Sequence, residues 1–102
     1  MKYGRLKIDV NDNVNLIEMI KDNETLDDDY FLKIRSLFVK IIPKDGEYSI
    51  TDSKVDLIID NTNTESTSTL EIDYNTPLNI VDCELTEIEI DGNARVCIDY
   101  GF

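Results

Sequence analysis

The sequence predicts an α+β fold, with one or two N-terminal helices packed on a mainly antiparallel β-sheet. Apolar residues recur at helical spacing only within the first 42 residues, and beyond them they mostly alternate with polar residues, as in strands. Clusters of Pro, Gly, Asn and Asp divide this second part into short segments. At 102 residues, 41% of them hydrophobic, the chain is predicted to form a single domain over residues 1–102.

The first predicted elements are a strand and a short helix. Leu6, Ile8 and Val10 alternate with charged residues, which predicts a strand with one buried face. The Asn-Asp-Asn sequence at 11–13 supplies turn and helix-cap chemistry. Apolar residues then recur at helical spacing from Val14 to Lys21, so we expect a helix there.

The stretch from Leu26 to Ile42 fits two structures. Its aromatic and aliphatic residues match an amphipathic helix, and the aspartates at 27–29 would complement the positive end of the helix dipole. The β-branched residues near its end and the following Pro43 instead favour a strand. We expect a helix that gives way to a strand around Leu37, with one structure throughout as the alternative.

The rest of the chain is predicted to be β-structure. Residues 61–69 are polar and are expected to form a connection or a hairpin tip. Residues 91–93, Asp-Gly-Asn, predict a hairpin turn into a last strand whose inner face is Val96, Ile98 and Tyr100. The preceding strands are expected at 47–50, 54–60, 70–74 and 78–90, the last with a break near Thr86.

The two cysteines are expected to be reduced. Pairing across the predicted hairpin would set Ile90 beside Ala94 and would place Cys97 nearer Glu87 than Cys83. The thiols would then not face each other, as a disulfide requires. Two thiols in a domain with its own core are more typical of a reducing compartment.

The ionisable residues restrict the class of partner. The chain has 22 Asp and Glu, 10 Lys and Arg, and no His, which gives a formal charge of −12. Such a chain is not expected to bind nucleic acid or an anionic membrane directly. Residues 1–50 carry a net charge of −2 and residues 51–102 a net charge of −10, so the second half is the acidic one. Without a long apolar run or a signal segment, we expect a cytoplasmic protein.

Residues 9–13, Asp-Val-Asn-Asp-Asn, resemble the short calcium-binding linker motif of cadherins. The resemblance implies a calcium site at these five residues. The companion acidic motifs and the Pro that follows the linker in that family are missing. A strand-to-helix transition explains the same residues as turn and cap chemistry, so we interpret them as a turn and expect no metal or cofactor.

Catalytic chemistry has little support in the sequence. The absence of His removes the commonest general base and zinc ligand. The order of residues singles out no pair of carboxylates, the hydroxyls of 66–69 have no neighbouring base, and no glycine-rich phosphate loop is present. We therefore expect a protein that is not an enzyme.

Acidic residues occupy the outward positions of the predicted C-terminal strands. Residues two apart on a strand lie roughly 6.5 to 7 Å apart, which is close to the spacing of successive phosphates along a nucleic-acid strand. Like charges opposite one another destabilise a sheet, so the array favours a binding surface. The predicted partner-binding residues are Asp56, Asp60, Glu71, Asp73, Asp82, Glu84, Glu87, Glu89 and Asp99.

These observations favour a small acidic inhibitor, a DNA or RNA mimic that occupies the groove of a basic nucleic-acid-binding protein such as a nuclease or effector complex. In size and composition the chain resembles small acidic inhibitors of bacteriophages, including anti-CRISPR and anti-restriction proteins. The resemblance implies an anti-defence role in a bacterial host cell. The alternatives are an immunity protein that neutralises a nuclease toxin, and a small virion or assembly component that would use the apolar Ile58 and residues 100–102.

Overall fold

The computed structural model describes residues 1–43, 53–61 and 66–102, so the strand predicted at 47–50 lies outside the described residues. Among them, no helix has the length and apolar character needed to cross a bilayer. The described residues form β1 (Tyr3–Val10), β2 (Asn13–Asn15), α1 (Leu16–Asn23), β3 (Ser36–Ile42), β4 (Lys54–Asn61), β5 (Ser66–Asp73), β6 (Leu78–Ile80), β7 (Ile88–Gly92) and β8 (Ala94–Gly101).

The strands form two four-stranded sheets. Sheet A has the order β1-β8-β3-β6 and sheet B the order β2-β7-β4-β5. All neighbouring strands are antiparallel. The predicted antiparallel α+β character is confirmed in outline, but there are two sheets instead of one, and the described residues contain one short helix.

Both sheets turn one side toward a shared apolar core. Alternation along each strand sends every second side chain to this core and the others to solvent. Sheet A contributes Ile8, Val10, Leu37, Val39, Ile41, Val96, Ile98 and Tyr100; sheet B contributes Val55, Leu57, Ile59, Ile72, Ile88 and Ile90; and α1 contributes Leu16, Ile17 and Ile20. The outer sides of the two sheets are therefore the main surfaces of the protein.

The first strand is confirmed, with Ile8 and Val10 buried and its odd-numbered residues facing out. The helix predicted from Val14 to Lys21 is found as α1, and Val14 belongs to β2 instead. Asn15 caps α1 by accepting a hydrogen bond from the backbone N–H of Glu18 at 3.2 Å.

The helix predicted in the first part of 26–42 is wrong. Tyr30 and Phe31 are exposed, whereas Leu32 and Ile34 are buried, so burial follows the period of an extended chain. The backbone N–H and carbonyl groups of Ile34 pair with those of Leu85, which replaces helical bonding with an isolated β-bridge outside the strands. The predicted change to a strand around Leu37 is confirmed by β3.

The middle strands follow the prediction with shifted ends. β4 includes the predicted 54–60 strand, and Val55, Leu57 and Ile59 point inward as expected. β5 begins at Ser66, so part of the segment expected to be a connection belongs to a strand. The break expected near Thr86 is found, but it extends over 81–87.

The hairpin predicted at 91–93 is wrong, because β7 and β8 belong to different sheets. β7 pairs with β2 and β4, whereas β8 pairs with β1 and β3. Gly92 has a φ of 145° where the chain crosses between the sheets, a conformation that side chains disfavour. A Cβ on Gly92 would also lie 2.9 Å from the backbone oxygen of Lys54.

Both cysteines are free, as expected, although for a different reason. The crossing to sheet A pairs Cys97 with Lys7 and Lys40, and not with the neighbourhood of Glu87. The Cys83 thiol lies in the 81–87 connection, 3.5 Å from the carbonyl oxygen of Ile34.

A polar network connects the end of α1 to sheet A. The buried Tyr100 hydroxyl donates a hydrogen bond to the Glu24 carboxylate and accepts one from the Asn23 amide at 2.8 Å. Lys2 lies 3.1 Å from the same carboxylate. The hydrogen bond from Tyr100, and then that from Lys2, hold the pKa of Glu24 below its ordinary value.

Replacing Gly92 with Ala should destabilise the fold, because the new Cβ meets the backbone of β4 and the positive φ becomes strained. We expect a loss of about 2 kcal/mol in the free energy of unfolding. Urea denaturation followed by circular dichroism measures it. An unchanged denaturation midpoint would show that the crossing does not depend on glycine.

The Glu24 network predicts a pH-dependent contribution to stability. Since the pKa of Glu24 is lowered in the folded state, its stabilising effect is complete above the ordinary glutamate value of 4.5 and is lost as the pH falls through the lower, folded value. Glu24→Gln should therefore lower the melting temperature at pH 7, and the difference from the original chain should shrink below pH 4.5. A difference that does not change with pH would contradict this role.

Candidate partner-binding surface

The outer side of sheet B gathers most of the predicted binding residues. Strands β4, β5 and β7 alternate between apolar residues in the core and acidic residues on this side. We define the acidic face as six carboxylates of these strands together with that of Glu87, which directly precedes β7. Six of the seven were predicted and one was not. The seven are Asp56, Asp60, Glu71, Asp73, Glu87, Glu89 and Asp91.

The strand register places these carboxylates side by side. Asp56 of β4 pairs with Glu71 of β5 on one side and with Asp91 of β7 on the other. At the other end of β4, the backbone N–H of Asp60 donates to the carbonyl oxygen of Glu87 at 3.3 Å. Neighbouring strands are about 4.8 Å apart, so the like charges are close together.

Asp91 was missed because its Asp-Gly-Asn context was interpreted as a hairpin turn. The structure keeps it in β7, paired with both Asn13 and Asp56. The alternation that begins at Glu87 and Glu89 would have identified it, because Asp91 has the same parity.

Positive charge is scarce on this face. In the described strands of sheet B, Lys54 is the one basic residue. Its ammonium lies 3.6 Å from the Glu71 carboxylate, and both side chains are 60% exposed. Such an exposed pair contributes little to stability, so most of the negative charge on the face is left uncompensated.

The contact between Asp60 and Glu87 has an electrostatic consequence. A side-chain hydrogen bond with Asp60, together with the negative charge of that carboxylate, raises the pKa of Glu87, and Glu89 adds to the effect. At the opposite end of the face, the Thr76 side chain and the Asn75 backbone hold the pKa of Asp73 below its ordinary value. The two ends of the face therefore differ: a neighbouring carboxylate raises the pKa of Glu87 at the Asp60 end, and hydrogen-bond donors lower the pKa of Asp73 at the other end.

The other three predicted binding residues do not join the acidic face. Asp82 and Glu84 lie in the connection between β6 and β7, where Glu84 is 3.2 Å from Arg35. Asp99 lies on β8 in sheet A, and its carboxylate accepts a hydrogen bond from Arg5 at 2.6 Å. The sequence could not show this ion pair, because its partners are brought together only when β1 pairs with β8.

The outer side of sheet A has a different charge. Its basic residues are Arg5, Lys7, Lys40 and Arg95, and its acidic residues are Asp9 and Asp99. Arg95 donates to Asp9 at 2.7 Å, so the first residue of the cadherin-like motif is an ion-pair partner. Within the part of the chain that the structure describes, no group of three or more Cys, Asp or Glu side chains could hold a metal ion.

The alternative role as a virion or assembly component requires an exposed apolar edge. The residues considered for it, Ile58 and 100–102, do not form one. Ile58 is half-buried among the side chains of sheet B, and Phe102 is half-buried at the chain end. Tyr100 is 1% exposed and belongs to the core. Tyr100 is therefore not available as part of an exposed apolar edge at 100–102.

A groove with a volume of about 440 Å³ lies at the end of the acidic face that carries Asp60 and Glu87. We call it the aromatic groove, because Tyr30 and Phe31 line it together with the carboxylates of Asp60 and Glu87. Its remaining lining includes Lys21 and other residues of α1, β4 and β7. Sequence reasoning missed it, since the predicted helix placed both aromatic rings in the core.

Replacing Glu87 with Gln should stabilise the protein at pH 7. The pKa of Glu87 is raised in the folded state, so the ionised carboxylate opposes folding at pH values above the ordinary glutamate pKa of 4.5. This destabilisation is lost as the pH falls below 4.5, because the carboxylate is then protonated. The melting temperature of Glu87→Gln should exceed that of the original chain at pH 7, with the difference shrinking toward pH 4. The control Glu84→Gln removes an ion pair with Arg35 and should show no gain; a gain equal to that of Glu87→Gln would contradict local repulsion.

The acidic face is thus a cross-strand array of carboxylates on one side of the protein, bordered at one end by the aromatic groove. Compared with models of protein families, with curated proteins and with solved structures, the chain matches none of them.

Proposed function

We propose that this protein is an inhibitor that binds a basic nucleic-acid-handling protein through its acidic face and excludes the nucleic acid. The observation that supports it is the collection of seven carboxylates on one side of sheet B, with Lys54 as the basic residue of those strands. A partner that binds phosphates with Lys and Arg offers the complementary charge. The proposed setting is anti-defence, in which the protein blocks a bacterial defence system in the manner of small acidic anti-CRISPR and anti-restriction inhibitors.

Folding alone does not explain why these charges are together. Asp56 pairs with Asp91 and Glu71, which are both acidic, and Asp60 contacts Glu87. Like charges opposite one another oppose sheet formation. The side-chain interaction with Asp60, and then the negative charge of that carboxylate, raise the pKa of Glu87. Solubility requires net charge but not its concentration on one face. A binding role explains the concentration.

The array has the rigidity that a mimic requires. β4 is hydrogen-bonded to β5 and β7 on its two sides, so the carboxylates are attached to three adjacent strands. From Glu87 to Asp91 the face extends roughly 13 Å along β7, and three strands span about 10 Å. Little ordering is therefore needed on binding, which favours affinity.

The difference in charge between the outer sides of the two sheets favours one orientation of the protein as it approaches a basic partner. The outer side of sheet A has four basic residues and two acidic ones, of which Arg5 and Arg95 form ion pairs with Asp99 and Asp9. Among the described residues, the acidic face has one ion pair, the exposed Lys54–Glu71 pair, for its seven carboxylates. The electric field of a basic partner should orient the protein so that the outer side of sheet B approaches first. Association should then be fast and sensitive to salt.

The paired carboxylates favour binding over hydrolysis. Two-carboxylate glycosidases hold their groups about 5 Å or more apart, with room for the scissile bond or a water molecule. Asp60 lies close enough to Glu87 for its carboxylate to raise the pKa of Glu87. An electrostatic role for this pair is consistent with its exposed position.

The test is a capture experiment with matched variants. The immobilised chain is exposed to bacterial lysate at low salt, and the retained proteins are then challenged with duplex DNA. We expect basic proteins that DNA displaces, and we expect the double variant Glu87→Gln/Glu89→Gln to retain about tenfold less of them. The control Asp82→Asn/Glu84→Gln removes the same charge outside the acidic face and should retain as much as the original chain.

Two results would contradict the proposal. Retained proteins that DNA does not displace would show that the occupied surface is not a nucleic-acid site. Equal losses in the two double variants would show that net charge, and not the acidic face, controls binding.

A further inference from the structure

The aromatic groove combines two surfaces that bind cations in different ways. On one side are the Asp60 and Glu87 carboxylates of sheet B, and on the other are the rings of Tyr30 and Phe31. Phe31 is 70% exposed and Tyr30 is 47% exposed. Together they enclose about 440 Å³, which exceeds the volume of one amino-acid side chain several-fold.

The aromatic side is held in place by a buried lysine. Lys21 of α1 is 8% exposed, and its ammonium donates to the backbone oxygen of Asp28 at 2.9 Å. Beyond the rings, the backbone of Ile34 is fixed by its two hydrogen bonds to Leu85. The segment that carries Tyr30 and Phe31 is therefore attached at both ends, so the rings stay beside the carboxylates without entering the core.

The charge of the groove selects a cationic occupant. Glu18, Asp60, Glu87 and Glu89 line it, against the single basic residue Lys21. A cation can also interact with an aromatic face, and the Lys33 ammonium already lies 5.9 Å from the centre of the Phe31 ring. An apolar occupant would leave these carboxylates desolvated and unpaired, which is unfavourable.

We infer that the aromatic groove receives an arginine side chain of the basic partner, an inference that rests on the proposed function and specifies its contact. A guanidinium is planar, so it can stack on a ring while its N–H groups bond to two carboxylates. Asp60 and Glu87 both line the groove and offer acceptors for the N–H groups of the guanidinium. A lysine ammonium is a point charge and would use only part of this arrangement.

The test uses blocked single amino acids as probes. N-acetyl-arginine-N-methylamide and its lysine counterpart are titrated into the isotope-labelled full chain, and backbone amide shifts are followed by NMR. We expect the arginine probe to bind with a dissociation constant on the order of 1 mM, with shifts concentrated at 30–31 and 87–89. The lysine probe should bind at least threefold more weakly.

Variants separate the two sides of the groove. Phe31→Leu changes an exposed ring and Glu87→Gln removes one carboxylate charge; each should weaken arginine binding at least threefold. Glu84→Gln, which lies outside both the groove and the acidic face, should leave it unchanged. Equal affinity for the two probes, insensitivity to Phe31→Leu, or shifts spread over the whole chain would each overturn the inference.

The capture experiment distinguishes failure of the groove from failure of the proposed function. If Glu87→Gln/Glu89→Gln loses a DNA-displaceable partner while Phe31→Leu retains it fully, the acidic face binds and the arginine inference is wrong. If the arginine probe binds as expected and no captured protein is displaced by DNA, the groove is supported and the mimic proposal fails.

Discussion

The register of β4 between β5 and β7 is the constraint on which the rest of the structure depends. Val55, Leu57 and Ile59 are buried in the core, and strand alternation therefore forces Asp56 and Asp60 to the outer side. A slip of one residue would bury carboxylates and expose the core residues, which is strongly unfavourable. The same apolar contacts that hold the sheets together thus hold the acidic face in a fixed arrangement.

This coupling explains how the protein tolerates repulsion on its surface. Carboxylate pairs such as Asp60 and Glu87 oppose folding, but the inner side of the same strands adds apolar burial, roughly 1.5 to 3 kcal/mol for each fully buried aliphatic side chain. Sheet A, whose outer side is balanced by the Arg5–Asp99 and Arg95–Asp9 pairs, adds the other half of the core. Under the proposed function, binding of a cationic surface would relieve this repulsion.

Much of the acidic face could be predicted from the sequence, because strand alternation is a local property. Six of its seven carboxylates follow from the two-residue period of β4, of β5, and of β7 with the residue Glu87 before it. Asp91 was not predicted as part of the face, because Asp-Gly-Asn was interpreted as a hairpin turn. The same three residues are equally consistent with a crossing between sheets. Local pattern does not determine which strand β8 joins.

Other features depended on contacts between distant parts of the chain. Asp99 was expected to belong to the binding surface, and only the pairing of β1 with β8 brings Arg5 to it. The segment before β3 has the spacing of a helix, but the bridge between Ile34 and Leu85 extends it and leaves Phe31 exposed. The aromatic groove is a product of that long-range contact, so no local pattern predicts it.

The most direct measurement of the central claim is an NMR cross-saturation map of the labelled chain bound to a captured, DNA-displaceable partner. It reports which amides lie at the interface without altering any charge. We expect saturation transfer to the outer residues of β4, β5 and β7, and none to the outer residues of β1 and β8. Transfer concentrated on sheet A, with sheet B unaffected, would contradict the claim that the acidic face is the binding surface.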